Sequence, residues 1–144
     1  MDQRDSVARE LKILMNKVNR KAESCIPPEL KREATEMQGR VLGYLFHNRE
    51  RPVFQRDVEA EFSITRATAS KMLTLMEKNG MITRSGVAGD ARLKKLELTE
   101  KSLVHMKKIR QGMLDFEHML LQGFTPEEKA SLLFLLRKVE KNVE

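Results

Sequence analysis

The spacing of apolar residues constrains the fold of this chain more than any other feature. It follows a helical period through most of the sequence and changes to alternating apolar and polar residues over 93–98. The first helical stripe consists of Val7, Leu11, Leu14 and Val18. The pattern predicts a mainly α fold with a small β-hairpin.

Threonines mark the predicted starts of the main helices, because a hydroxyl just before a helix can accept a hydrogen bond from its first turn. The predicted caps are Thr35, Thr65, Thr99 and Thr125. Thr35 and Thr125 are each followed three residues later by Gln or Glu, which completes a capping box. The first helix is predicted to end before the interruption at 25–28, and the second near Asn48.

Two helices joined by a tight turn are predicted in the middle of the chain. A short helix carrying Val58 and Phe62 is followed by Ser63–Ile64 and then by the helix that Thr65 caps. This second helix is predicted to end at Asn79–Gly80, because glycine tolerates the left-handed conformation that often ends a helix. The order indicates a helix-turn-helix.

A basic β-hairpin is predicted to follow. The segments 81–84 and 93–98 have the pattern of strands, and the glycines and aspartate within 85–92 indicate a turn. Helix, tight turn, helix and hairpin occur in the order of a winged helix-turn-helix, in which the hairpin is the wing. The next helix has a near-heptad apolar seam over 103–120, which predicts a partner helix.

Positive charge is concentrated in this part of the chain. The sequence carries 27 Lys and Arg against 21 Asp and Glu, a net charge of +6 at pH 7. Residues 63–95 contain seven of these basic residues and two acidic ones, a surplus of five. We therefore expect a polyanionic partner, double-stranded DNA in the first place and an anionic membrane surface in the second.

The sequence shows no segment that would place the protein in or across a membrane. No apolar run approaches the length that crosses a bilayer, and residues 1–10 have no apolar core behind a basic start. A single cysteine cannot form an internal disulfide, which fits a reducing compartment. We expect a cytoplasmic protein.

The chain resembles the MarR family, named for multiple antibiotic resistance regulators, across nearly its whole length. Three segments carry the resemblance: TEMQGRVLGYL from Thr35, ITRATASKMLTLMEKNGMITR from Ile64 and GDARLKKLELTEK from Gly89. The resemblance implies a sequence-specific transcriptional regulator that binds a DNA operator with an inverted repeat. It further implies a repressor that a small-molecule effector releases from DNA.

The resemblance also implies how one domain over 1–144 is organised. A winged helix-turn-helix core is expected at about 35–98, flanked by dimerisation helices over 1–34 and 99–144. The apolar stripes of the first and the last two predicted helices agree with this arrangement, because one protomer of this size leaves them without enough neighbours. We expect a homodimer.

The helix after Thr65 is the predicted recognition helix. Its face opposite the apolar stripe is small, polar and basic, which allows close approach to base edges in the major groove. The resemblance assigns the major-groove contacts to Thr65, Arg66, Ala67, Thr68, Ser70 and Lys71. We add Thr74, which shares this face, and Arg84 and Lys94, which lie on the basic hairpin.

The resemblance assigns further contacts to the DNA backbone and the minor groove. Gln55 contacts phosphate, and Arg92 at the tip of the wing enters the minor groove. We expect Asp90 to fix the guanidinium of Arg92, because residues two apart in an extended tip project to the same side. Two positions depart from the family pattern: Phe54, where Ser or Thr often caps the helix, and Ser63, where glycine is frequent.

Catalytic and metal chemistry are not expected. The sequence has no glycine-rich phosphate loop, nucleophile elbow or His-Glu metal motif, so we predict neither an enzyme nor a cofactor. His47, His105 and His118 lack the short spacing of metal ligands. The resemblance implies a pocket for small, often phenolic or lipophilic effectors between the DNA-binding and dimerisation parts, but the sequence does not identify its residues.

Two alternatives remain open at this point. Winged helices also bind proteins, so a protein-interaction module is one alternative. A redox-sensing regulator acting through Cys25 is the other. Redox-sensing relatives use a cysteine near the start of the first helix with tyrosine partners, whereas Cys25 lies near its end and Tyr44 is the one tyrosine. A structural role for Cys25 is therefore favoured.

Overall fold

The computed structural model describes residues 6–144, without the side chain of Ala91. Its elements are α1 (Val7–Glu23), α2 (Pro28–Glu33), α3 (Glu36–His47), β1 (Val53–Phe54), α4 (Gln55–Phe62), α5 (Arg66–Lys78), β2 (Ile82–Val87), β3 (Asp90–Leu98), α6 (Glu100–Leu120) and α7 (Pro126–Lys141). The expectation that the chain starts without a signal segment concerns in part residues 1–5, which lie outside the described residues. The predicted mainly α fold is confirmed.

All four predicted threonine caps are confirmed. Each hydroxyl accepts a hydrogen bond from the backbone N–H three residues later, at the starts of α3, α5, α6 and α7. Thr35 and Thr125 also receive the reciprocal bond of a capping box, because Gln38 and Glu128 accept from their backbone N–H groups. The helix starts are thus fixed by local hydrogen bonds that the sequence already contains.

The β structure is larger than the predicted hairpin. Three antiparallel strands lie in the order β1-β3-β2, with Val53 opposite Leu96 and Ile82 opposite Leu98. The strand β1 was not predicted, because two residues are too short to show a period. The predicted turn over 85–92 was too wide: the loop is Ala88–Gly89, and the residues on either side continue the strands.

The short helix α2 was also missed. The proline pair at 27–28 was interpreted only as an interruption, but Pro28 occupies the first position of α2. A backbone N–H there would have no acceptor within the helix, so proline loses no hydrogen bond. Leu30 of this helix is 5% exposed and joins the core. The helix therefore contributes one side chain to the core of the winged-helix part.

One core unites α3, α4, α5, the sheet and the first half of α6. Its buried members include Val41, Leu42, Leu45, Phe46, Val53, Val58, Leu73, Met76, Met81, Ile82, Leu96 and Met106. A polar joint lies beside this core, where the buried Ser102 donates a hydrogen bond to the carbonyl of Met81 at 2.7 Å and Thr99 donates to that of Gly80 at 2.7 Å. The start of α6 is thereby attached to the segment between α5 and β2.

The outer helices leave much of their apolar surface exposed. Neither α1 nor α7 has a buried residue, and Val7 and Phe134 are 66% and 65% exposed. The C-terminal half of α6 adds exposed Met113, Leu114, Met119 and Leu120. These exposed side chains agree with the prediction that the apolar stripes of the outer helices lack enough neighbours within one chain. Among residues 6–144, no helix has both the length and the apolar character needed to cross a membrane.

The turn between α4 and α5 contains a strained serine. Ser63 adopts φ 51° and ψ 45°, the left-handed region in which a side chain is disfavoured. Replacing it with glycine, Ser63→Gly, is expected to raise the free energy of unfolding by up to about 1 kcal/mol, since relief of strain exceeds the added freedom of the unfolded chain. Urea unfolding measures this change.

The matched control is Ser24→Gly, because Ser24 has φ −66° and ψ −16° in the right-handed region. Glycine relieves no strain there and is expected to leave stability unchanged or to lower it. A loss of stability in Ser63→Gly equal to that in Ser24→Gly would contradict the prediction.

Candidate nucleic-acid interface

Helix α5 presents the predicted recognition surface. On its inner side, Ala69, Leu73 and Met76 are each 0% exposed. The exposed residues of the cap and the outer side are Thr65, Arg66, Ala67, Thr68, Lys71, Thr74 and Lys78, and Ser70 is half-buried. The residues predicted to contact the major groove are therefore brought together on one accessible side of α5.

Two hydroxyls at the start of α5 are ordered by each other. Thr65 Oγ1 accepts a hydrogen bond from the backbone N–H of Thr68 at 3.2 Å and donates its proton to Thr68 Oγ1 at 2.9 Å. This arrangement leaves the proton of the Thr68 hydroxyl for a partner outside the helix. Thr65 thus has a local capping function, and Thr68 is the hydroxyl better placed to meet a base or phosphate.

The start of α4 lies beside the start of α5. Gln55 Nε2 donates to the carbonyl oxygen of Arg66 at 3.5 Å, a long contact that a stronger acceptor can replace. Phe54 cannot cap the helix with its side chain, but Asp57 Oδ2 accepts from the Phe54 backbone N–H at 2.8 Å. This bond orders the start of α4 but does not supply the acceptor that a Ser or Thr cap would offer to the first turn, and Gln55 remains close to the predicted interface.

Arg56, at the same helix end, was not among the residues predicted from the sequence. Its guanidinium lies 5.4 Å from the centre of the Phe54 ring, a cation–π contact that orients an exposed basic side chain beside Gln55. Its position in the first turn of α4, next to a predicted phosphate contact, was the available signal. Arg56 adds a positive charge where the positive end of the α4 dipole also lies.

The wing tip differs from the prediction in one contact. Asp90 Oδ1 accepts a hydrogen bond from the backbone N–H of Arg92 at 2.9 Å. Among the described residues, no ion pair links Asp90 to the Arg92 guanidinium. The expectation that Asp90 fixes the guanidinium is therefore wrong. The short aspartate side chain reaches the backbone amide two residues later. The guanidinium of Arg92 lies at the end of a long side chain, farther from the carboxylate.

Arg84 is not presented to solvent as a basic hairpin residue was expected to be. Its side chain is 20% exposed, and its Nη2 lies 3.1 Å from Glu77 Oε1 and 3.1 Å from Thr74 Oγ1. The hydrogen bond from Arg84 holds the pKa of the Glu77 carboxyl below its usual value. Sequence analysis assigned Arg84 from its charge and missed Glu77, because nothing in the local pattern shows that the two meet.

The remaining basic residues of the surface keep their charge exposed. Among residues 6–144, no ion pair involves Arg56, Arg66, Lys71, Lys78, Arg92 or Lys94. On β3, Lys95 pairs with Glu97 at 2.6 Å. The start of α4, the outer side of α5 and the wing together form a positive surface suited to a polyanion.

A cavity of about 680 Å³ lies between the winged-helix part and the flanking helices. Its apolar lining includes Ile26, Leu30, Ala34, Met106 and Ile109. Glu36 and Arg40, which form an ion pair at 2.8 Å, add charged groups to the lining. The cavity has the location that the family resemblance implies for an effector pocket.

Cys25 packs against a glycine of α6. The cysteine is half-buried, and its sulfur would lie 3.2 Å from a Cβ placed on Gly112. Its thiol donates to the carbonyl oxygen of Lys21 at 3.6 Å. These contacts describe close packing of the end of α1 on α6. Within the described part of the chain, no three His, Cys, Asp or Glu side chains are grouped so that they could hold a metal ion.

Comparison with known proteins identifies relatives of this chain. The model of the MarR family matches residues 34–93. The chain is 30% identical over 102 residues to the uncharacterized HTH-type transcriptional regulator YybA of Bacillus subtilis (strain 168). The aligned residues cover 70% of this chain and 68% of YybA. The chain is 29% identical over 80 residues to the HTH-type transcriptional regulator PecS of Dickeya dadantii (strain 3937). The aligned residues cover 56% of this chain and 48% of PecS.

Solved structures share the fold over nearly the whole chain. MepR of S. aureus bound to ethidium bromide has a TM-score of 0.82 at 21% identity, with 99% of this chain and 100% of MepR covered. MepR in its DNA complex has a TM-score of 0.77 at 22% identity, with 95% and 99% covered. The matches to the family model and to YybA show that the chain belongs to the MarR family of HTH-type transcriptional regulators.

Proposed function

We propose that the protein binds double-stranded DNA sequence-specifically, with α5 in the major groove and the wing at the adjacent minor groove. One observation carries this proposal: the outer side of α5 is small, polar and basic, and it is continuous with exposed cations on the wing and at the start of α4. Such a helix can approach base edges without obstruction, while the flanking cations meet phosphates on either side.

The proposed contacts fall into three groups. On α5, Arg66, Ala67, Thr68, Ser70 and Lys71 face the bases, with Thr65 as the cap that holds the helix end. At the start of α4, Gln55 and Arg56 meet phosphate, where backbone N–H groups and the helix dipole favour an anion. On the wing, Arg92 enters the minor groove and Lys94 meets phosphate, while Asp90 shapes the turn that presents Arg92.

We propose that the regulator is a homodimer and that its operator is an inverted repeat. Residues 35–98 form the DNA-binding core of a single domain, and residues 1–34 and 99–144 pair with a second copy. Support comes from α1 and α7, which have no buried residue in one chain. A twofold dimer buries equivalent surfaces of both copies and repeats the recognition helix on a twofold-related half-site.

We further propose repression that a small-molecule effector relieves. The cavity beside Leu30 and Met106 adjoins both the winged-helix core and α6, so an occupant can change how the two parts pack. MepR, which shares the fold, was solved with ethidium bromide. We place the protein in the cytoplasm, because a regulator of this kind must share a compartment with its DNA, and we propose no catalytic activity for it.

Lys71→Ala and Ser70→Ala test the recognition surface on a duplex that the protein itself selects from a random pool. Each variant is expected to weaken binding to this duplex by about 1–3 kcal/mol, the range for loss of a good base contact. The melting temperature should stay that of the wild type, because both side chains lie outside the core. Fluorescence anisotropy titration measures the binding.

Lys138→Ala is the matched control, because it removes an equal charge from the exposed surface of α7. It is expected to leave specific binding unchanged. If Lys71→Ala and Lys138→Ala had the same effect, or if the wild type bound the selected and random duplexes equally, the proposed recognition surface would be refuted. Failure to bind any duplex would favour the protein-interaction alternative.

Arg92→Ala tests the wing. The variant is expected to bind the selected duplex more weakly and to make the dependence of log K on log salt shallower by about 0.9, the contribution of one neutralised phosphate. The loss should be largest on A·T-rich flanks, whose narrow minor groove attracts cations. Titrations at several salt concentrations measure both effects.

Asp90→Asn is the companion variant, since an amide oxygen can still accept the hydrogen bond from the Arg92 backbone. It is expected to keep nearly wild-type affinity and salt dependence. An unchanged salt slope in Arg92→Ala would remove the wing from the proposed interface.

A further inference from the structure

The carboxylate of Glu77 joins the recognition helix to the wing. Its Oε2 accepts a hydrogen bond from the Arg84 backbone N–H at 3.0 Å, and its Oε1 accepts from Arg84 Nε at 3.3 Å and Nη2 at 3.1 Å. The same Nη2 donates to Thr74 Oγ1 at 3.1 Å. Arg84 thus contacts two positions on α5 that lie three residues apart, and it does so from the first strand of the wing.

This contact lies where it can set the orientation of the whole wing. Arg84 is opposite Leu96 in the antiparallel ladder, which continues to Gly86 opposite Lys94. Between α5 and β2 the chain turns at a joint formed by Gly80, whose φ of +72° is one that a residue with a side chain rarely adopts. The ion pair spans this joint from outside, so it limits rotation of β2 and β3 relative to α5.

The charge of Glu77 is otherwise unfavourable at this place. On α5 it lies three residues after Thr74 and seven after Ser70, so it borders the side proposed to face DNA. A free carboxylate there would repel phosphate. Arg84 neutralises this charge through an ion pair at 3.1 Å, and its hydrogen bond lowers the pKa of Glu77. Because Arg84 is paired with Glu77, its guanidinium is not free to contact DNA directly.

We infer that Glu77 is a positioning residue for DNA recognition: by holding Arg84 it fixes the angle between α5 and the wing, so that Lys71 and Arg92 reach adjacent grooves together. Arg84 then acts through Glu77 rather than as a DNA contact. This inference rests on the proposed DNA-binding function. It adds the requirement that α5 and the wing are held at a fixed angle to each other.

Glu77→Ala separates positioning from charge. Removing an anion beside DNA should strengthen binding if charge alone matters. Positioning predicts the opposite: about tenfold weaker binding to the full selected duplex, the size of a coupling of about 1.4 kcal/mol between contacting groups. On a shortened duplex that lacks the flanks reached by the wing, the variant should lose nothing relative to the wild type.

Glu97→Ala is the matched control. It removes the same charge from β3, where Glu97 pairs with Lys95 and not with a residue of α5. It is expected to bind the full duplex as tightly as the wild type or more tightly. Arg84→Ala should lose at least the same factor as Glu77→Ala, because it also leaves the Glu77 carboxylate unpaired beside DNA. The double variant should lose no more than Arg84→Ala, because both lack the same contact.

Circular dichroism and melting of each variant show whether it is folded, and Glu77→Leu, whose side chain has no hydrogen-bond acceptor, replaces Glu77→Ala in the same titrations if the latter is unfolded. Wild-type or tighter binding of the folded variant to the full duplex, or equal losses on full and shortened duplexes, would overturn the inference. Failure of the wild type to select any duplex would instead overturn the proposed function.

Discussion

Replacing Leu132 and Leu136 with lysine is expected to convert the dimer to a monomer and to reduce operator affinity by roughly 100-fold or more, because two linked half-site contacts lose their avidity. The two leucines lie one turn apart on α7 and are 38% and 42% exposed in a single chain. In the proposed dimer they are buried against the second copy. Burying two unpaired charges there costs several kcal/mol each, more than a typical interface side chain contributes.

Light scattering and duplex titration measure the two effects together. The wild type is expected at about twice the 16.7 kDa of one protomer, and the variant at one protomer mass. Ala130→Lys is the control, since it places a lysine about 200° around α7 from Leu132. A double-lysine variant that remained dimeric with unchanged affinity would contradict the assignment of α7 to the interface.

Leu73→Ala is expected to lower the free energy of unfolding by about 2–5 kcal/mol, the range for truncating a fully buried leucine. Leu73 is 0% exposed on the inner side of α5 and belongs to the same core as residues of α3 and the sheet. The buried neighbours relax only partly into the space that the side chain leaves. Urea unfolding followed by circular dichroism measures the change.

Leu75→Ala provides the same chemical change two residues away. Leu75 is 48% exposed on α5, so its truncation removes little buried surface and should cost less than about 1 kcal/mol. Equal losses in the two variants would contradict the described packing of α5. The pair also separates stability from recognition, because weakened DNA binding in Leu73→Ala should follow the fraction of unfolded protein.

The features that the sequence predicted are those with local causes. Thr35, Thr65, Thr99 and Thr125 cap helices through hydrogen bonds to residues three positions on, so the spacing of residue types was enough. The exposed side of α5 followed from its helical period. The role of α7 in an interface was predicted because its apolar residues extend over more of the helix surface than one neighbouring helix can cover.

The features that the sequence did not predict depend on contacts between elements or on exact backbone geometry. The strand β1 is two residues long and is defined by pairing with Leu96, some forty positions away in the chain. Glu77 and Arg84 meet only because Gly80 turns the chain back between them. At the wing tip, residue spacing placed Asp90 and Arg92 on one side, but only the folded turn shows that the carboxylate meets the backbone amide.

The most direct test of the central claim is selection of duplexes from a random pool by the purified protein, followed by sequencing and by the mass of the complex. We predict enrichment of an inverted repeat whose half-sites lie about one helical turn, roughly 10 base pairs, or a multiple of it apart, bound by two protomers. Its affinity should exceed that for random DNA by about 10³-fold or more at physiological salt. No enrichment, or one protomer on a site without symmetry, would contradict the account.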